Sequence, residues 1–339
     1  MPKFCSDMIR RGSMPAGKEL PFRIFLLVGI VLTTTLACGT SGEVATPPPA
    51  TATVPPVSEP QLEYTAGDHA LSLTHDGMER TYVLHIPPGL DPSQPVPLVL
   101  AFHGVSLNAS EMMRISGFNA QSDASGFIVV YPEGTGDTSS WNGGHCCGTA
   151  ARDNVDDVGF VRALIGELST SLPIDPKQIH ATGFSNGAIF TYRLACELSD
   201  LIASFGPISA TPTEDDMQVC APKRAVPILH FHGTADDPNP YNGGMSAGGF
   251  RFVAVSEVIQ YWVNNNGCSA QPESSTSGSI RHDVYTGCKS GSAVELYTIE
   301  GGKHAWPGGE AVNQKMGEPN MEISATAILW EFFLAHPMP

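Results

Sequence analysis

Positive charge is scarce in this sequence, where 18 Lys and Arg stand against 34 Asp and Glu in 339 residues, a formal net charge of -16. Such a surface repels phosphate backbones and anionic membranes over about a Debye length, so nucleic acid is a poor partner. The scarcity is greater than the total suggests. Lys3, Arg10, Arg11, Lys18 and Arg23 lie in the first 23 residues, and beyond residue 38 the balance is 13 bases to 32 acids. Long apolar runs are also missing. Ile24 to Ala37 is uncharged and mostly apolar, but its 14 residues fall short of the roughly 20 that a membrane-spanning helix needs. No internal repeat is evident. What is present is a hydrophobic fraction of 42%, enough for a real core, so disorder is excluded as the whole answer.

A basic start followed by a short apolar run reads as a signal peptide. Ala37 before Cys38 resembles a bacterial lipobox, which implies cleavage before Cys38 and lipid on its thiol; plain secretion and a retained anchor are the alternatives. Thr35 and Leu36 depart from the usual lipobox pair. Met8 or Met14 as the start would leave a signal of ordinary length. Residues 39–60 hold six prolines among Thr, Ala and Ser, too little apolar surface to offset ordering entropy. At ~3.1 Å per residue this linker reaches on the order of 70 Å. The expected division is therefore 1–38 export signal, 39–60 linker and 61–339 one folded domain, working outside the cell or on its surface.

Six cysteines fall in the folded part, and an even number behind an export signal suggests disulfides. Cys268 with Cys288 is the most local pair, leaving Cys146 and Cys147 to pair separately with Cys196 and Cys220. His145-Cys146-Cys147 lacks the spacing of a tetrahedral zinc motif, so no metal is expected.

Short β-rich runs alternate with amphipathic segments, the mark of an α/β fold with a mostly parallel sheet and helices on both faces. Strands are expected at 80–86, 98–102, 127–131, 178–183, 228–231 and 294–299. Several are continuous apolar runs, which implies burial on both faces. Helices are expected at 109–124, 157–171, 186–198, 252–265 and 323–335. Asp156 and Asp157 open the second of these and read as a cap and dipole partner.

Gly183-Phe184-Ser185-Asn186-Gly187 is a G-x-S-x-G pattern, and so is Gly244-Met245-Ser246-Ala247-Gly248. Context separates them. Ser185 lies between a strand and a helix, where a strained turn exposes a nucleophile, whereas Ser246 sits in a Gly-rich loop. A serine hydroxyl needs an imidazole to take its proton. In the chain order serine, acid, histidine, the candidates after Ser185 are His230, His232, His282, His304 and His336. His304 is preferred, because its Gly-rich loop follows a strand and is free of helix and strand constraints. Asp236 and Asp237 follow the 228–231 strand, and Asp236 is preferred as the acid that orients the imidazole. Two backbone N–H groups should form the oxyanion hole, Asn186 after the nucleophile and Val105 in the turn after the 98–102 strand. His103 reads as structural. Trp141 and Trp306 are candidates for stacking surfaces in the substrate cleft, with core roles as the alternative.

FHG at 102–104, WNGGHCCG at 141–148, VDDVGFVRALI at 155–165, GFSNGAIFTYRLACELSD at 183–200, HGTAD at 232–236 and GGKHAWPGG at 301–309 together resemble the polyhydroxybutyrate depolymerase and feruloyl esterase family of secreted α/β-hydrolases. The similarity spans about residues 75–335, with every motif in order. It implies Ser185 as nucleophile, Asp236 as acid and His304 as base, and an acyl-enzyme route on carboxylic esters without cofactor. The implied substrates are feruloyl or acetyl esters of polysaccharide, or hydroxyalkanoate polyesters. A carbohydrate-binding lipoprotein on the same fold, or a peptidase, is the alternative. The chain departs from the family at Asp237-Pro238-Asn239, where apolar residues are usual, and at Lys303.

Overall fold

The computed structural model describes residues 64–246, 248–313 and 315–339. The export segment, Cys38 and the linker lie outside the described residues. In chain order the strands are β1 (Gly67–His75), β2 (Met78–Ile86), β3 (Val96–Phe102), β4 (Ile128–Pro132), β5 (Ile174–Phe184), β6 (Ser204–Ile208), β7 (Ile228–Gly233), β8 (Gly244–Met245), β9 (Arg251–Phe252), β10 (Glu273–Ser277), β11 (Ile280–Tyr285) and β12 (Val294–Ile299). The helices are α1 (Ala109–Ser116), α2 (Phe118–Ser125), α3 (Gly148–Arg152), α4 (Asp157–Ser171), α5 (Asn186–Glu197), α6 (Glu214–Val219), α7 (Val255–Asn266) and α8 (Ala325–Ala335).

Ten strands form one sheet in the order β1-β2-β4-β3-β5-β6-β7-β12-β11-β10, while β8 and β9 pair apart. From β4 to β12 the neighbours run parallel; β1, β2, β10 and β11 add antiparallel edges. The apolar runs explain the layering. Leu98, Leu100 and Phe102 of β3 pack with α4, α5 and α7 on one face, while Val99 and Ala101 pack with α1, α2 and α8 on the other. A strand covered on both sides has no polar face to show, which is why it reads as a continuous apolar run.

Several elements differ from expectation. The helix foreseen over 109–124 breaks at Gly117, which takes φ 65°, a left-handed cap that suits a residue without Cβ. Arg251 and Phe252 pair with β8, so the next helix starts at Val255. Strands β1, β6, β10 and β11 carry no apolar run. β6 is Ser-Phe-Gly-Pro-Ile, a poor strand sequence on propensity, and it is a strand because it fills the gap between β5 and β7.

Asp157 does more than open a helix. Asp156 is the cap, accepting from Gly159 N at 2.9 Å, whereas the Asp157 carboxylate is fully buried. It pairs with Arg80 of β2 at 2.6 Å and accepts from Asn142 N at 2.7 Å. Arg80 in turn lies over the Phe160 ring, 4.0 Å from its centre. Removing one partner strands a buried charge, so Asp157→Ala is expected to cost about 3–5 kcal/mol of stability. Urea unfolding at neutral pH checks this, and a loss under about 1 kcal/mol would show that the pair behaves like a surface bridge.

The disulfides correct one expectation. Cys268 pairs with Cys288, but Cys146 pairs with Cys147 and Cys196 with Cys220. Cys146 packs beside Ala188 and Ile189 near the start of α5, whereas Cys196 lies near its end. Eight residues of helix at 1.5 Å each put roughly 12 Å between those points, beyond the reach of a disulfide.

Candidate active site

The G-x-S-x-G segment joins β5 to α5, and Ser185 holds φ 58° and ψ -121° there. A side chain at positive φ is strained, and the surroundings hold it: Ser185 N donates to Ile208 O at 3.1 Å. The two glycines are steric necessities. A Cβ on Gly183 would run into the Gly187 carbonyl, and one on Gly187 into the carbonyls of Phe102 and His103. Ser185 itself is half-buried, while its neighbours from Ala181 to Phe190 are buried.

Two loops bring the partners. His304 follows β12 and Asp236 follows β7, adjacent parallel strands whose loops are joined by hydrogen bonds. Ala235 N donates to Gly302 O at 2.9 Å, Gly301 N donates to Thr234 Oγ1 at 2.8 Å, and a Cβ on Gly233 would strike the Gly302 carbonyl. His304 Nε2 lies 2.8 Å from Ser185 Oγ and His304 Nδ1 lies 2.8 Å from Asp236 Oδ2. A carboxylate only accepts, so Nδ1 carries the proton and Nε2 is left to accept from the serine hydroxyl. The other carboxylate oxygen, Oδ1, accepts from Asn239 N at 2.9 Å.

The turn after β3 passes directly beside Ser185. A Cβ on Gly104 would sit 3.1 Å from Ser185 Cβ. The Asn186 N–H lies in the first turn of α5, where N–H groups have no intrahelical acceptor, and its side chain fixes the neighbouring loop. Asn186 Oδ1 accepts from Trp141 N at 2.8 Å and its Nδ2 donates to Trp141 O at 3.1 Å. Val105 is exposed at the tip of the turn. His103 is fully buried; its Nδ1 donates to Gly104 O at 2.7 Å and its Nε2 accepts from Gly134 N at 2.9 Å. It shapes the turn from beneath.

Burial lowers the pKa of His103 to about 4 and, with help from His336, that of His180 to about 3. Unfolded, both rings titrate near their ordinary value, so between that pH and the lowered one the unfolded chain binds more protons. Stability is therefore expected to fall as pH drops from 6.5 towards 4, with His103 alone contributing on the order of 3 kcal/mol. Urea midpoints at pH 7, 5.5 and 4 check this; a flat series would contradict it.

The two tryptophans are not cleft surfaces. Both are fully buried. Trp141 stacks on Phe190 and donates from Nε1 to His103 O at 3.0 Å, and Trp306 packs on Phe118 and donates to Thr326 Oγ1 at 2.9 Å. Each braces a loop of the site from the core side, because these large rings bury most area there. Ser246 lies in the β8–β9 hairpin, where its N donates to Phe250 O at 2.9 Å. His282 is in β11 against Glu295 at 2.8 Å, and His336 bonds Phe332 O at 2.7 Å. A cavity of about 560 Å³ opens along α5, lined by Ile189, Tyr192, Arg193 and Cys196 among others, but by none of Ser185, Asp236 or His304. The contribution of Asn239 was missed; its signal was the polar break after the acid.

A mostly parallel sheet with a serine on a strand-to-helix elbow, an acid after β7 and a histidine after β12 has the architecture of an α/β-hydrolase. Solved structures agree on the fold: an acetyl xylan esterase from Aspergillus awamori superposes with a TM-score of 0.55 at 13% identity, over 71% of this chain and 94% of that one. The profile of the family described as Esterase PHB depolymerase matches residues 80–216. NocK of Nocardia uniformis subsp. tsuyamanensis, an esterase by name alone, is 30% identical over 82% of this chain and 88% of its own length. The chain belongs to the PHB depolymerase esterase family. Feruloyl esterase B of Piromyces equi is 33% identical over 67% of this chain, which spans only 42% of that enzyme.

Proposed function

We propose that this protein is an exported serine carboxylic-ester hydrolase working through an acyl-enzyme. The observation that carries the reading is the hydrogen-bonded line from Ser185 Oγ through His304 to Asp236, with 2.8 Å at both steps. Ser185 Oγ attacks the ester carbonyl as its proton passes to His304 Nε2. The negative oxygen of the tetrahedral intermediate is held by the N–H groups of Asn186 and Val105. The intermediate collapses, the C–O bond to the alcohol breaks, and the proton on Nε2 leaves with the alcohol. Water then repeats the sequence on the acyl-serine, giving back its proton to Ser185 as the acid departs. Asp236 keeps the proton on Nδ1 and stabilises the imidazolium.

The substrates proposed are feruloyl or acetyl esters of polysaccharide, or hydroxyalkanoate esters. Relatives support this range: besides the feruloyl esterase, a poly(3-hydroxyalkanoate) depolymerase C of Paucimonas lemoignei is 26% identical over 66% of this chain and 58% of its own length. The basic, apolar N-terminus and the Pro-rich segment support export and a tether, with lipid at Cys38. Hydrolysis of p-nitrophenyl acetate and butyrate tests the reaction, and stoichiometric fluorophosphonate labelling at Ser185 tests the nucleophile. An inert protein in both assays would sink the reading. Methyl ferulate, acetylated xylan and 3-hydroxybutyrate oligomers, compared in one assay, decide among the substrates.

A further inference from the structure

Behind the acid lies a line of buried polar groups that the reaction as written does not use. Tyr192 of α5 and His230 and His232 of β7 are each buried. Tyr192 OH lies 3.0 Å from His230 Nδ1, His230 Nε2 lies 3.0 Å from His232 Nδ1, and His232 Nε2 lies 2.8 Å from Asn239 O.

The chemistry of the last member fixes the direction of the whole line. A backbone carbonyl can only accept, so His232 Nε2 carries a proton. Burial presses the pKa of both rings down, His230 furthest, so each is neutral and holds one proton. His232 Nδ1 is then an acceptor and His230 Nε2 must donate to it. His230 Nδ1 is in turn an acceptor, and the tyrosine hydroxyl donates. With both rings neutral, this arrangement of protons satisfies the three contacts of the line.

The line ends on the residue that clasps the acid. Asn239 N donates to Asp236 Oδ1 at 2.9 Å, while its side-chain Oδ1 accepts from Thr211 N at 3.0 Å and Thr211 Oγ1 at 3.1 Å. Asn239 is thus tied to the chain beyond β6 by its side chain, to the acid by its N–H and to His232 by its carbonyl. The His232 N–H also faces Asp236 Oδ2 at 3.5 Å, longer than a hydrogen bond. That same oxygen is the one that accepts from His304.

We infer that His232 is a positioning residue for the acid: through the Asn239 carbonyl it fixes the loop that aims the Asp236 carboxylate at His304, and the His230–Tyr192 line locks its ring in the one tautomer that can do so. The inference rests on the proposed roles of Ser185, His304 and Asp236. It explains why a buried pair of neighbouring histidines, costly to desolvate, stands at the end of β7 beside the site. It also gives the polar Asp237-Pro238-Asn239 departure a purpose, since Asn239 supplies three main-chain and side-chain ties at once.

The test compares His232→Leu and His232→Gln in the full chain, with rates normalised to active sites titrated by fluorophosphonate so that misfolded protein is not counted. His232→Leu should lower kcat per titrated site by between about tenfold and a hundredfold, with KM changed little, because the acid is misaimed and the substrate surface is untouched. The glutamine amide can place an N–H near the position of Nε2, so His232→Gln should recover most of that loss. In the wild-type protein, ¹⁵N shifts of the imidazole nitrogens should show His230 and His232 neutral with the proton on Nε2. An unchanged kcat per site in His232→Leu, or a wild-type His232 protonated on Nδ1, would overturn the inference alone. A Ser185→Ala protein that keeps wild-type turnover would remove the proposed reaction, and the inference with it.

Discussion

Ser185→Ala is expected to lower kcat for p-nitrophenyl butyrate by about ten-thousand-fold or more while the protein folds as before. In the proposed reaction the hydroxyl is the atom that forms the bond to the acyl group, and alanine offers no oxygen in its place. His304 Nε2 would lose its partner at 2.8 Å and could at best activate water from the space the hydroxyl vacates. Alanine at positive φ keeps the Cβ that the elbow already accommodates, so stability should change little. That separation of activity from folding makes the variant decisive. Turnover is checked by spectrophotometry with enzyme at high concentration, and folding by urea unfolding; a loss of less than tenfold would identify a different nucleophile.

Asp236→Asn should be nearly as damaging, by about a thousandfold to ten-thousand-fold in kcat at pH 7, though its shape is almost unchanged. The carboxylate accepts the Nδ1 proton of His304 through Oδ2 and the Asn239 N–H through Oδ1. An amide has one acceptor oxygen for these two donors. With its oxygen kept on Asn239 N, the amide N–H₂ faces Nδ1 and selects the tautomer with the proton on Nε2. That ring cannot accept from Ser185. The charge that stabilised the imidazolium is lost at the same time. The measurement is kcat and KM across pH 6 to 10 beside the wild type. A loss under tenfold would mean that Asp236 is a turn residue and that another carboxylate serves the histidine.

These two residues illustrate how much of the site could be read from sequence. Ser185 was legible because the elbow needs local chemistry, small residues on either side of a strained turn, and local chemistry leaves a fixed spacing. The second copy around Ser246 has the same letters, and only the strand before Ser185 told them apart. Asp236 and His304 were legible by the order of strands and the loops after them. Their partners were not. Asn239 bonds Thr211 through its side-chain amide and Asp236 and His232 through main-chain groups, and of these the sequence shows only the polar residue itself. Trp141 and Trp306 stayed open between cleft and core for a related reason: a large aromatic ring beside a motif looks the same whether it faces substrate or core, and here both rings are buried in the core.

The sheet follows the same division. Strands β3, β4 and β7 are buried on both faces and announce themselves as apolar runs. Strands β1, β10 and β11 stand at the antiparallel edges, where one face is wet or, in β10, both are, and β6 is a strand by position rather than propensity. The cysteines divide likewise: Cys268 with Cys288 followed from proximity in sequence, whereas the expected pairing of the other four put bonds between the two ends of α5 where the fold has Cys146 with Cys147 and Cys196 with Cys220.

By itself the sequence determined the class of fold, the elbow, and the chain order of serine, carboxylate and histidine that the fold brings into one line, because each depends on short-range sterics or on the burial of whole strands. The tertiary structure alone decided which loops meet above the sheet, how the other four of the six cysteines pair, and that two buried histidines stand behind Asp236. Those outcomes depend on distances between residues far apart in the chain, and on carbonyl and N–H groups that every residue but proline carries alike.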